Sequence, residues 1–161
     1  MFVSCKVLLA SVQGPAAVAL CMAQHVSDTA APTDNIRSVF VYGSLKPGEH
    51  NAYVATQAGS FSSRPAYIEG MALYHLEPEN YPAMIPGNDR VYGCVLDYED
   101  MAAALPALDA LEGCDLQPPL YHRRVVWVQP MHEQVWVYIY AQSQRLEQEG
   151  VRYLPQGRWP A

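Results

Sequence analysis

The stretch Val39-Phe40-Val41-Tyr42-Gly43-Ser44-Leu45 decides the reading of this chain. Four β-branched or aromatic residues without a charge, halted by a glycine, predict a strand buried on both faces. Gly43 to Asn51 then reads as a turn-rich loop, and Asn51 to Ala58 as a short helix with Asn51 near its cap. Working outward, the apolar runs 66–76, 81–85 and 91–98 are each bounded by Gly, Pro, Asn or Asp, as antiparallel strands are. Asp100 to Leu111 is the strongest helix candidate: Leu105, Leu108 and Leu111 recur at spacing three, and Gly113 stands where a helix stops. Pro106 marks a break or a fresh first turn within it. Two more strands are expected over 121–128 and 135–141, joined by a turn at Pro130. In the second, Val135, Val137 and Ile139 face one way while Trp136, Tyr138 and Tyr140 face the other, an aromatic face that either packs or lines a pocket. The expected fold is α+β: a strand-dominated domain whose sheet is closed or nearly closed, with one or two helices.

The composition agrees with that pattern. At 161 residues the chain has the size of one domain, and with half its residues apolar and 11% aromatic it can build a core. Thirteen Pro, ten Gly and eleven Tyr suit short strands joined by turns. A formal charge of -6 with only 16% charged residues lacks the basic footprint of a nucleic-acid partner. Residues 1–35 differ from the rest. Met1 to Cys21 carries a single charge, Lys6, but Gln13-Gly14-Pro15 interrupts the apolar run that a secretory signal or a membrane span needs, and Leu20 is too large to precede a lipoprotein cysteine. The preferred reading is that translation begins at Met22 or that 1–35 is a loose leader, with 36–161 as the working domain. Without residues 1–21, two cysteines remain, Cys94 and Cys114, which fits a reducing cytoplasm and no membrane partner.

Several familiar sites drop out. Gly43 to Gly48 has P-loop spacing, but Glu49-His50 stands where Lys and Ser/Thr would hold phosphate and Mg²⁺. His132-Glu133 opens like a zincin helix, but Trp136 takes the second His position. His25, His50, His75, His122 and His132 are scattered, no cysteine pair has ligand spacing, and no Gly-x-Ser-x-Gly elbow occurs, so no metal site and no hydrolase nucleophile are expected. What remains is the loop Gly43-Ser44-Leu45 and Glu112. A small-residue loop after a strand exposes successive N–H groups that can bind a carboxylate, though the same residues also make a plain turn. Glu112 ends an apolar helix, where it is either a solvated acid or, beside Leu108, Leu111 and Cys114, a desolvated one with a raised pKa suited to proton transfer. Spacing alone does not bring the two together.

Taken in order, the landmarks Val39-Phe40-Val41-Tyr42-Gly43-Ser44-Leu45-Lys46 with Gly48 and Asn51, Gly70, Leu73-Tyr74, Tyr81-Pro82, Val91 with Gly93, Leu108 to Gly113, Tyr121, Arg123, Trp136 to Tyr140 and Gly157-Arg158-Trp159 resemble the gamma-glutamylcyclotransferase-like family. The resemblance is to its small bacterial members and the gamma-glutamylamine cyclotransferases. It implies a small mixed, mostly antiparallel β-barrel in which Tyr42, Gly43, Ser44 and Leu45 cradle a glutamyl α-carboxylate and Glu112 is the acid/base. The implied reaction closes 5-oxoproline from a small γ-glutamyl amine or γ-glutamyl amino acid and releases the amine, without cofactor or metal. Tyr138 or Tyr140 would steady the developing oxyanion, against the alternative of simple packing. Two departures bear on substrate identity: Gly93-Cys94 stands where related sequences carry Gly-Glu, and Asp115 to Leu120, with Pro118-Pro119, shapes the mouth. The rival expectation is a non-catalytic module that binds a small carboxylate on the same barrel.

Overall fold

The computed structural model describes residues 35–160; the expectations for the leader and its alternative start at Met22 lie outside them. Six strands, β1 (Ser38–Val41), β2 (Phe61–Leu76), β3 (Tyr81–Tyr98), β4 (Tyr121–Val128), β5 (Glu133–Tyr140) and β6 (Val151–Tyr153), form one sheet in the order β4-β5-β1-β3-β2-β6. All pairs are antiparallel except β1 with β5. The sheet curls into a half-barrel, and mutual backbone hydrogen bonds between Tyr67 and Gln129 join β2 to the end of β4. Helices α1 (Ala52–Ala58) and α2 (Met101–Leu111) pack against one another on the outside.

The opening stretch becomes the middle of this sheet for the reason its composition suggests. Phe40 and Tyr42 point into the cluster that fills the barrel with Ile68, Leu73, Met84, Val95 and Val137. Val39 and Val41 point the other way, into the layer beneath the helices with Ala55, Leu96, Ala104 and Leu108. Val39 and Phe40 are wholly buried. A strand with no polar face can only sit between two apolar layers, and burying a side chain such as Phe40 contributes about 1.5–3 kcal/mol. The alternation in β5 splits the same way: Val135, Val137 and Ile139 face the barrel interior, and Trp136, Tyr138 and Tyr140 the helical layer.

The differences from the expected elements have local causes. β2 begins at Phe61 rather than Ala66, and runs 81–85 and 91–98 are one strand, because Met71 faces both Pro86 and Asp89 and lets Gly87-Asn88 bulge out. Pro106 does not break α2: it lies inside the helix on its exposed side. Asn51 occupies the position before α1, but its side chain makes no cap bond there. The short β6 and a 3-10 turn over Ser143–Glu147 carry no clear periodicity and were not expected. Beyond β6 the tail seals the barrel: Leu154 and Trp159 join its interior cluster, and Trp159 Nε1 donates to His75 Nδ1 at 2.9 Å. Since indole nitrogen can only donate, that contact places the His75 proton on Nε2, 2.8 Å from Glu77 Oε1.

Candidate active site

A pocket of about 100 Å³ opens where the end of β1 meets the C-terminus of α2. Its wall includes Tyr42, Gly43, Ser44 and Leu45 from the first strand and loop, Glu112 from the helix end, and Tyr138 from β5. The two features that spacing could not connect therefore share one cavity. Tyr140 does not line it; that ring packs against Tyr121 and Tyr81, with centroids 5.3 and 6.4 Å apart.

The loop is held open by short-range bonds. Lys46 N–H donates to the Gly43 carbonyl at 3.1 Å, closing a turn, and Asn51 N–H donates to the Ser44 carbonyl at 3.1 Å. Asn51 Nδ2 also donates to Ser44 Oγ at 3.0 Å, which leaves the serine proton to point elsewhere. Among the described residues, the N–H groups of Gly43, Ser44 and Leu45 donate to no protein acceptor. Successive free amides of this kind make an anion-binding concavity without a positive side chain. Gly43 has to be glycine because the loop runs against Pro82: a Cβ there would lie 2.4 Å from Pro82 Cγ.

Glu112 is placed by the way α2 ends. It is the last residue with helical backbone, and Gly113 follows with φ +62. Gly113 N–H donates to the Ala110 carbonyl at 3.3 Å and Cys114 N–H to the Asp109 carbonyl at 3.0 Å. These two bonds are the Schellman ending, which needs the left-handed conformation glycine adopts without penalty. The carboxyl so positioned is crowded by protein, while the residue keeps some accessible surface through the pocket it lines. No group among the described residues donates a hydrogen bond to it, and desolvation pushes its pKa from 4.5 up to about 8. Its position at the negative end of the helix acts in the same direction.

Of the remaining polar groups, Tyr42 and Tyr138 are singled out by the sequence reading, whereas Tyr121, Asp109 and Arg123 are given no role there. Three tyrosines line the pocket with their hydroxyl protons already committed: Tyr42 donates to the Tyr138 carbonyl at 2.7 Å, Tyr121 to the Pro82 carbonyl, and Tyr138 to Asp109 Oδ1 at 2.8 Å. Arg123 holds the other oxygen of Asp109 and lies over the Trp136 ring at 4.7 Å. Asp109 was legible in principle, since it stands three residues before Glu112 and so near it on the helix surface. Leu111, Leu120, Tyr81 and Pro82 complete an apolar and aromatic rim. Cys94, at the departure noted in sequence, is not part of the wall; it and Cys114 are free thiols, partly exposed. Among the described residues no cluster of His, Cys, Asp or Glu could hold a metal ion, and no helix is long and apolar enough to cross a membrane.

A curled six-stranded mixed sheet with two helices is the arrangement of the AIG2-like folds. The chain belongs to the family described as "Gamma-glutamyl cyclotransferase, AIG2-like", which matches residues 39–161. It is 32% identical over 124 residues to the gamma-glutamylcyclotransferase family protein YtfP of Escherichia coli K12, covering 75% of this chain and 94% of that one. It is 34% identical over 111 residues to a putative gamma-glutamylcyclotransferase of Vibrio cholerae, covering 67% and 85%. Among solved structures, an AIG2-like protein from Mus musculus superimposes with TM-score 0.55 at 28% identity, covering 66% of this chain and 78% of that one. The solution structure of YtfP from E. coli gives TM-score 0.51 at 27% identity, covering 76% and 96%.

Proposed function

We propose that the protein is a gamma-glutamyl cyclotransferase that converts a small γ-glutamyl amine or γ-glutamyl amino acid into 5-oxoproline and the free amine, with residues 36–161 as the working unit. The observation that carries this reading is the shared cavity: unpaired amides of Gly43, Ser44 and Leu45 on one side, and a carboxyl without a hydrogen-bond partner, Glu112, on another. The amides receive the substrate α-carboxylate. Glu112 takes a proton from the α-ammonium, and the freed amine nitrogen attacks the γ-carbonyl carbon. The lactam C–N bond forms, the original amide C–N bond breaks as Glu112 returns the proton to the departing nitrogen, and the second proton of the attacking nitrogen passes to the released amine, which leaves as its ammonium.

So small a set of groups suffices because nucleophile and electrophile belong to one molecule. Holding it in the ring-closing conformer replaces a two-body encounter, an effect worth up to about 7–11 kcal/mol in well-oriented intramolecular reactions. The raised pKa of Glu112 suits the task, since a group poised near neutrality can both accept and return a proton. Because the hydroxyl protons of Tyr42, Tyr121 and Tyr138 are committed, the developing oxyanion is assigned to the loop amides and the Ser44 hydroxyl. The test is release of 5-oxoproline from a panel of γ-glutamyl compounds by the purified protein and by Glu112→Gln. Release by the native protein, reduced on the order of 10²–10⁴-fold in the variant, supports the reading. A folded Glu112→Gln protein with full turnover refutes the assigned role.

A further inference from the structure

The pocket wall carries both hydrogen-bond donors and acceptors. The donors include the Gly43, Ser44 and Leu45 amides and the Ser44 hydroxyl. The acceptors include Glu112 and Tyr138, whose hydroxyl proton is drawn away to Asp109 Oδ1 at 2.8 Å. A phenol that has given its proton to a carboxylate has only lone pairs left to offer. Arg123 fixes this direction: its guanidinium occupies the second Asp109 oxygen, so the carboxylate stays an acceptor toward Tyr138. Arg123 is itself seated on the Trp136 ring, on the same face of β5 as Tyr138.

We propose that Tyr138 is a specificity-determining acceptor for the α-ammonium of the ligand, working with Glu112, and that Asp109 is the positioning residue that makes it an acceptor. The inference rests on the γ-glutamyl reading above and deepens it: the pocket recognises a zwitterionic α-amino acid head, anion to the loop and cation to Tyr138 and Glu112. It also gives Tyr138 the opposite role to the oxyanion donor expected from sequence. An ammonium brings three donors and no acceptor, and therefore matches these acceptors, whereas a neutral analogue lacking the amine leaves them unpaired.

Two probes without a γ-amide bond to break isolate the effect: L-glutamate and glutarate, which differ only in the α-amino group. Binding of each is measured by calorimetry to the native protein, Tyr138→Phe and Asp109→Asn, with thermal melts as a fold control. In Asp109→Asn, Arg123 retains the amide oxygen, the amide NH₂ turns to Tyr138, and the tyrosine proton is released toward the pocket. The expected result is that native protein prefers L-glutamate, and that both variants lose about 10-fold or more of L-glutamate affinity while glutarate binding moves less than about 2-fold. Loss of Tyr function in Asp109→Asn, where the tyrosine is still present, is what a merely structural role would not produce. Equal weakening of both probes, or no change in either, overturns the assignment; if Asp109→Asn does not fold, Tyr138→Phe alone decides it by the same criterion. Native protein that binds the two probes equally well overturns this inference but leaves the carboxylate loop standing. Native protein that binds neither overturns the γ-glutamyl reading itself.

Discussion

Replacing Glu112 by Gln gives a measurement of the site that does not depend on any substrate. The carboxyl is desolvated without a hydrogen-bond partner, so its pKa rises from 4.5 to about 8. A group whose folded pKa is raised contributes its full stability below its unfolded pKa and loses it as pH climbs through the folded value. Between 4.5 and 8 the native state holds a proton that the unfolded chain has released, and stability falls by up to about 1.4 kcal/mol per pH unit. From about pH 5 to about pH 8 the loss from this one carboxyl amounts to about 3–4 kcal/mol, a large part of the stability of a domain of this size. Glu112→Gln has no such term, while every other titrating group is common to both proteins and cancels in their difference. Urea denaturation of native and variant protein across this range should show the native protein losing about 3–4 kcal/mol relative to Glu112→Gln as pH rises. A difference that stays constant within about 0.5 kcal/mol would mean that the carboxyl titrates as an ordinary solvated acid, and would remove the physical basis for its assigned role.

Activity should follow the same titration: kcat/KM is expected to rise with pH along a limb centred near 8, where the free-enzyme carboxyl ionises, and a limb near 4.5 would contradict this. Gly43→Ala drives a Cβ to 2.4 Å from Pro82 Cγ, so the loop must shift; glutamate binding should be lost and stability reduced by about 1–3 kcal/mol, read by calorimetry and urea midpoint. Gly113→Ala puts a side chain at φ +62 and 2.8 Å from Leu116 Cδ1, and is expected to cost about 1–3 kcal/mol and to move Glu112, lowering turnover as well as melting temperature. Phe40→Ala, a wholly buried ring in the middle strand, should cost about 3–5 kcal/mol in denaturant unfolding while leaving the sign of the pH dependence unchanged.

Much of the fold was legible in the sequence where local pattern and tertiary environment agree. The two-sided apolar run of β1, the alternation of β5 and the glycine that stops α2 each report a demand that the chain makes on its surroundings wherever it folds. Legibility failed where the pattern was overridden. Pro106 looked like a break but sits on the solvent side of α2, and the Pro86-Gly87 interruption looked like a strand end but is a bulge that the neighbouring strand tolerates. Within the pocket, the loop residues and Glu112 could be singled out by residue type, and the family resemblance joined them. Tyr42 and Tyr138 were named without the feature that governs their chemistry, the destination of their hydroxyl protons.

The sequence by itself determined where the apolar strand patterns fall and the position of the helix-ending glutamate, because periodicity and short-range stereochemistry are properties of neighbouring residues, and its ordered motifs carried the family resemblance. The tertiary structure decided what those residues can do. Desolvation of Glu112 is set by the side chains that close around it, and the acceptor character of Tyr138 by a carboxylate on a helix far away in the chain. Hydrogen-bond direction and local dielectric are properties of the assembled surroundings, and no linear pattern encodes them.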